Sequence, residues 1–446
     1  MVDRLHRRRG ESVFQLPESL RTELVAGVAA ACGERAADIF NRCFTDTLEN
    51  TIAMQADGTA FMVTGDIPAM WQRDSAAQLA PYLHFLDRVP ELAEIVIAVN
   101  RRQLGGMLHD PYANAFNAEA NGNGHQDDRT DMTPWTWERK YEIDSLCYPL
   151  QLAEDIWRIT GRTDHLDEQY ARAVRAAMGV FRIEQDHEAH SAYRFERFDA
   201  PQSDTLVRAG RGSLTVPTGM SWSAFRPSDD ACDFGYNVPG NAFAAVVLAG
   251  VVRIARDVLD DEVLADEADA LRDQIETGIR AHAVVTVAGG EIYAYEVDGL
   301  GGALLADDAN VPSLLALPYI GWCDAGDPLY QRTRAFVLSD ANPTFASGSA
   351  AKGIGSPHTP DGHIWPIALA LQGLTATDPD EKKRLLEMLV STDAGTGMMH
   401  ESFHKDDPAT FTREWFSWAN AMFCELALDV AGLRSYVRVP EGSVRG

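Results

Sequence analysis

Apolar residues recur along most of the chain with a helical period, and they do so in two ways. Residues 239–259 (PGNAFAAVVLAGVVRIARDVL) are apolar on almost every side, the pattern of a helix buried all round. Residues 261–280 put Leu264, Ala268, Leu271, Ile275 and Ile279 on one stripe and carboxylates elsewhere, the pattern of a helix with one wet face. The alternation repeats: 142–160 precedes 164–185, 73–88 precedes 90–108, 363–375 precedes 378–390, and 414–432 closes the series. Buried helices paired with amphipathic ones, about twelve in all, predict an all-α fold in which hairpins close a ring, an (α/α)6 barrel. Strand signal is minor. Residues 284–287 and 291–297, joined by Ala-Gly-Gly, read as one hairpin, and 192–198 as a further strand. No fixed-length repeat and no Pro/Ser-rich linker divides the chain, so residues 1–446 read as a single domain.

Composition narrows the field of functions. With 39 Lys+Arg against 66 Asp+Glu the net charge is −27, which argues against nucleic acid and anionic membrane as partners. A hydrophobic share of 46% with 24% charged residues supports a large folded core and excludes a disordered chain. The most apolar run, 241–252, falls short of the roughly 18 residues of a membrane span. The N-terminal MVDRLHRRRGESVF has basic residues with no apolar stretch behind them, unlike a secretory signal. Six scattered cysteines read as reduced thiols, and the expected location is the cytoplasm.

The chemistry-bearing residues fall between the helices, in segments 61–74, 109–141, 218–241, 342–365 and 392–415. Eight of nine tryptophans lie in or beside irregular segments, where indole rings offer faces to a sugar. The run from Thr64 to Ser75 combines Asp66, Trp71, Arg73 and Asp74, a palette for paired hydroxyls, with Asp74 or Ser75 placed to cap the following helix. Residues 353–366 add His358, His363 and Trp365 in a glycine-rich loop. Around Arg226 and Ser228, the neighbours Asp229 and Asp230 repel one another, which favours holding one protonated as an acid while Arg226 keeps the other ionised. Either Ser228 or Asp229 also suits a helix cap. His400-Glu401-x-x-His404 matches the zinc-peptidase spacing, but flanking glycines and Asp406-Asp407-Pro408 leave little room for the helix that chemistry needs. Glu401 reads better as a carboxylate presented on a loop. No nucleotide-binding fingerprint is present.

TGDIPAMWQRDSAAQLAPYL, SAFRPSDDACDFGYNVPGN, GIGSPHTPDGHIWPIALA and HESF followed by FTREWFSWANAMF together resemble glycoside hydrolase family 125, in order and across residues 61–423. The resemblance implies an (α/α)6 fold and a metal-independent, inverting, exo-acting α-1,6-mannosidase, with no cofactor. Its substrates would be α-1,6-linked mannosides or N-glycan fragments. It implies a general acid at Asp229 or Asp230, a general base at Glu401, and a mannose pocket around Asp66, Trp71, Arg73 and Asp74. Gln72 departs from the leucine expected there and bears on packing more than on chemistry. The rival readings are a zinc metallopeptidase using His400, Glu401 and His404, and a non-catalytic mannoside-binding protein. Oligomeric state is left open.

Overall fold

The structure is a computed structural model that describes residues 14–438 and 440. The reading of a missing signal segment concerns residues outside that range. Helices dominate: α1 (Glu18–Cys32), α2 (Glu34–Asn50), the short α3 (Gln72–Ala77) and α4 (Ala80–Leu83), α5 (Pro90–His109), α6 (Ile143–Thr160) and α7 (Glu168–Glu184). They continue with α8 (Val238–Asp257), α9 (Glu262–His282), α10 (Leu317–Ile320), α11 (Pro328–Val337), α12 (Pro366–Leu374), α13 (Pro379–Ser391) and α14 (Ser417–Val430). Helices α3, α6, α8, α12 and α14 are buried on nearly all sides. By contrast α7, α9 and α13 bury one stripe.

Packing follows the ring expected of an (α/α)6 barrel. Helix α6 lies against α3, α5 and α8; α8 against α9; α12 against α13 and α14; and α14 returns to α2 and α4. Side-chain caps mark the helix starts. Asp167, Asp261 and Asp378 accept backbone N–H bonds at α7, α9 and α13, and Asn237 accepts from Gly240 at α8. Gly250 lets α8 approach α6, since a Cβ there would sit 2.1 Å from Glu154 Oε2. Helix α8 is long and apolar enough to cross a bilayer by composition, beyond the dozen residues counted from sequence. It is 89% buried within the protein and serves as a core helix.

Several elements depart from the sequence reading. Residues 73–88 form no continuous helix. Pro81 has no N–H to give Ala77, so the chain breaks into α3 and α4. Helix α12 starts at Pro366 rather than 363, because His363–Ile364 forms a strand paired to Phe403 and His404. Strand Val284–Val287 pairs with Gly290–Tyr293 alone; Glu296–Val297 leaves it to pair with Tyr236–Asn237 and Ala303–Leu304. That exit brings the buried Glu296 to Arg226. Residues 192–198 contribute one bridge, Glu196 to Arg129. Helices α1 and α2 lie before any of the helical segments read from the pattern.

Candidate active site

The buried helices α3, α6, α8, α12 and α14 each follow an extended residue: Trp71, Glu142, Asn237, Trp365 and Phe416. Three of these residues, Trp71, Trp365 and Phe416, line one pocket of about 240 Å³, together with Arg73, Asp74, Asp229, His358, Glu401, Arg413 and Trp418. The helix starts around this pocket present partial positive charge, which favours the carboxyl groups gathered there. A larger groove of about 580 Å³ between α1 and α2 is lined by Val25, Ala26, Ala29 and Ala30 with a few polar side chains and holds no candidate residue.

Arg73 organises one wall. Its Nη1 donates to Glu142 Oε2 at 2.6 Å and its Nη2 to Asp229 Oδ1 at 3.0 Å, while Asp74 and Asp144 each come within 3.5 Å. Four carboxyl groups thus face one buried guanidinium. Burial pushes Asp74 and Asp144 up to about 6 despite Arg73. Burial also drives Glu142 well above the carboxylate range, with the charges of Asp229 and Asp144 adding to the rise against Arg73. Asp229 goes the other way. Burial alone would raise it, but Arg73, a hydrogen bond from Glu142, Lys140 and His358 hold it well below the usual range.

Asp229 sits at the tip of a tight turn. Arg226 N–H donates to Asp230 O and Asp229 N–H to Arg226 O, and the Lys140 ammonium donates to Asp229 O at 2.7 Å. Its φ of 67° is left-handed, a conformation Asp tolerates better than most residues. This kink separates the neighbouring side chains. Asp229 lines the pocket, whereas Asp230 lies outside the lining with Oδ1 3.5 Å from His358 Nδ1. His358 is lowered by burial but raised more strongly by Asp230, Asp229 and Glu401, reaching about 9.

Glu401 stands on a second wall, just before strand Ser402–His404, and Arg413 Nη1 lies 3.5 Å from its Oε1. Arg413 is in turn held by Asp66, its Nε donating to Oδ1 at 3.0 Å, and by Thr64 Oγ1 at 3.0 Å. The chain of Gly65 passes so close to Trp415 that a Cβ would lie 2.4 Å from the Trp415 carbonyl, and its φ is 129°, so glycine is required. Among the described residues, Trp71 Nε1, Ser228 Oγ and Trp418 Nε1, all on lining residues, are buried without a hydrogen-bond partner.

Of the residues read from sequence, Trp71, Arg73, Asp74, Asp229, His358, Trp365 and Glu401 come together. Asp66 lies outside the lining and acts on Arg413. Arg226 also lies outside: its side chain bonds Glu296 and Asp233 and braces the turn, so Arg73 rather than Arg226 is the arginine paired with Asp229. His363 is absent from the lining because its Nδ1 is held by the Pro360 carbonyl and its backbone is paired to His404. The expected caps differ too. Ser75 Oγ bonds back to Trp71 O inside α3, and the turn at Ser228 and Asp229 leads into no helix. Gln72 is buried and bonds Gln103 O at 2.9 Å, away from the pocket. Trp222 is core, stacked 3.7 Å from His187, rather than a cleft residue. Arg413 and Glu142 were not singled out by sequence, because their partners lie far along the chain.

The zinc-peptidase reading requires His400 and His404 on one helical face, but Ser402–His404 is a strand. The His400 ring stacks on Phe411 at 3.7 Å and its Nδ1 meets Glu414 O, while His404 Nδ1 accepts from the Asp406 N–H. Among the described residues no cluster of three or more His, Cys, Asp or Glu is arranged to hold a metal ion.

What this arrangement can do is hold a polyol between carboxyl groups, which is the work of a glycoside hydrolase. The chain belongs to the metal-independent α-mannosidases of glycoside hydrolase family 125, whose sequence profile matches residues 33–428. A Streptococcus pneumoniae protein, described as one of a new family of metal-independent α-mannosidases and solved as a non-productive complex with α-1,6-mannobiose, is 50% identical. It superposes with a TM-score of 0.91 over 94% of this chain and 99% of that one. The meiotically up-regulated gene 157 protein of Schizosaccharomyces pombe is 38% identical over 429 residues, covering 89% of this chain and 82% of the relative. Glucoamylase from Saccharomycopsis fibuligera, at 11% identity and a TM-score of 0.55 over 96% of this chain and 98% of its own, shares the fold alone.

Proposed function

We propose that this α-mannosidase is exo-acting and inverting, and removes a terminal mannose from α-1,6-linked mannosides. The observation that carries the reading is that Asp229 and Glu401 line one small pocket while each is fixed by a different arginine, Arg73 and Arg413. At about 240 Å³ the pocket is below the roughly 300–1,000 Å³ of a drug-sized site and suits a single sugar ring, as exo action requires. Inversion requires the two carboxyl groups to stand about 6.5–9.5 Å apart with a water between them. The α-1,6-mannobiose bound by the pneumococcal relative supports the linkage.

In this reading Asp229, rather than Asp230, protonates the glycosidic oxygen, because only Asp229 lines the pocket. Glu401 takes a proton from water as that water attacks C1 from the opposite face. Trp71 is the most accessible indole of the lining, Trp365 and Trp418 back the pocket as buried walls, and Arg413 orients Glu401. NMR of α-1,6-mannobiose hydrolysis tests the whole reading, with β-mannose expected as the first anomer. Initial α-mannose overturns inversion, and no turnover of this disaccharide overturns the linkage. Glu401→Gln should lower kcat by about 10²–10⁴ with little change in KM.

A further inference from the structure

A general acid must arrive protonated, yet every cation around Asp229 favours its ionised form. The proton has to be kept nearby. Glu142 and Asp229 occupy the two Nη atoms of the same Arg73 guanidinium, at 2.6 and 3.0 Å. Asn114 Nδ2 reaches both as well, 3.3 Å from Glu142 Oε1 and 3.4 Å from Asp229 Oδ1. Glu142 has a fully buried side chain and is absent from the pocket lining, so it does not meet the sugar. Ser145 Oγ donates to its Oε2 at 2.8 Å.

Building on the reading of Asp229 as the acid, we propose that Glu142 is its proton partner: the two carboxyl groups on the Arg73 fork hold one proton between them. As the C1–O bond breaks, the shared proton passes through Asp229 to the leaving oxygen, and both carboxyl groups are left ionised on Arg73. Water supplies hydroxyl to C1 and its proton to Glu401. After release, Glu401 loses that proton to solvent and the Glu142–Asp229 pair takes one up, so the cycle balances. Glu142 is a positioning residue acting through Asp229. The charged and titratable groups facing it are Arg73 and Asp74 from α3, Asp144 on its own helix, Asp229 on the turn, and Glu138 through the shared Asn114 amide.

The direction of the pH effect follows. With Glu142 present the pair keeps its proton above the usual carboxylate range, because burial and the neighbouring carboxylates raise Glu142. Without it Asp229 titrates alone, in the low range set by Arg73 and Lys140. Glu142→Gln keeps the size and neutrality of the protonated acid and preserves an oxygen for Arg73. On α-1,6-mannobiose its kcat should fall at least about tenfold at pH 7 with KM within about threefold, and the basic limb of kcat/KM should move to lower pH by about one unit or more. On 2,4-dinitrophenyl α-mannoside, whose leaving group needs no proton, the loss should be far smaller. Glu142→Asp keeps a titratable group and should restore part of the basic limb. An unshifted basic limb in Glu142→Gln, equal losses on both substrates, or Glu142→Asp behaving like Glu142→Gln would each overturn the proposal. Glu401→Gln run alongside separates the two readings. Retained turnover in that variant sinks the assignment of the base itself, whereas its loss on both substrates with a normal Glu142→Gln profile sinks only the proton partner.

Discussion

Two buried ionic clusters share the same helices and are built on opposite principles. At the N-terminal end of α6, Asp144 joins Asp74, Glu142 and Asp229 around a single arginine. Eleven residues further, about 16 Å along the same helix, Asp155 accepts from Tyr436 Oη at 2.7 Å and from Arg438 Nε at 3.1 Å. Beside it on α14, Glu425 is met by His84 Nε2 at 2.7 Å and Arg434 at 3.5 Å, with Arg434 also 3.1 Å from Asp429. The chain at 434–438 thus supplies the deep cluster with cations. Burial would raise Glu425, but Arg434 and His84 bring it down to about 2. Around Arg73 the carboxyls outnumber the cations, so Asp74, Asp144 and Glu142 are raised. The deep cluster ties segment 434–438 to α6 and α14, whereas the upper one raises its carboxyl groups toward neutral pH, as the proposed proton transfer requires.

The largest blow to this contrast is Arg73→Met. It leaves three buried carboxyl groups and the partly exposed Asp229 without their shared cation and should cost about 3–5 kcal/mol of stability, read from urea unfolding at pH 7. Kcat on α-1,6-mannobiose should fall by about 10³ or more, because Asp229 loses its anchor. Much of the stability loss should return at pH 5, where the carboxyls take up protons. A deficit that is the same at both pH values would mean that Arg73 acts by packing on Trp418, which it overlies at 5.7 Å, rather than by charge.

The deep cluster predicts a different signature. Glu425→Gln keeps an oxygen for His84 but removes the charge, and should cost about 1.5–3 kcal/mol at pH 7. Turnover should stay within about twofold of the parent. The folded acid is depressed to about 2, so its contribution is full above the ordinary glutamate value near 4.5 and fades as pH falls through 2. Urea midpoints of parent and variant should therefore converge as pH falls toward 2. A fall in kcat comparable to that of a pocket variant would show that the two clusters are coupled through α14.

The sequence carried part of this contrast. Outer helices were legible because an apolar stripe set against a polar face announces them, as in 261–280. Inner helices were legible from unbroken apolarity, except where Pro81 interrupts one by removing a donor. The alanine-rich α1 shows a weak stripe and went unread. Within the site, Trp71, Arg73 and Asp74 lie in one short run, and Glu401 lies in another. The pairs that define their chemistry do not: Arg73 meets Glu142 across 69 residues, and Asp66 meets Arg413 across 347. No spacing rule reaches such distances. Whether Asp229 or Asp230 faces the pocket turned on a single left-handed φ, which sequence alone does not specify.

The smallest effect lies in the pH dependence of stability, where the clusters should pull in opposite directions. Asp74 and Asp144 titrate near 6 when folded, against an ordinary aspartate value near 3.8. The native state therefore binds more protons than the unfolded chain between about pH 4 and 6, and stability declines as pH rises through that window. Glu425 acts below it, losing its contribution as pH falls through 2. His358, raised to about 9 from 6.5, contributes fully below its ordinary value and loses that contribution as pH rises through 9. The parent should then resist urea best near pH 4. Asp74→Asn removes one group from the upper cluster, so it should flatten the decline between pH 4 and 6 and raise stability at pH 7 by about 1–2 kcal/mol. The same variant should lower kcat, since Asp74 lines the pocket. Gaining stability while losing turnover is the mark of a carboxyl kept for function, and a variant that lost both would place Asp74 with the deep cluster instead.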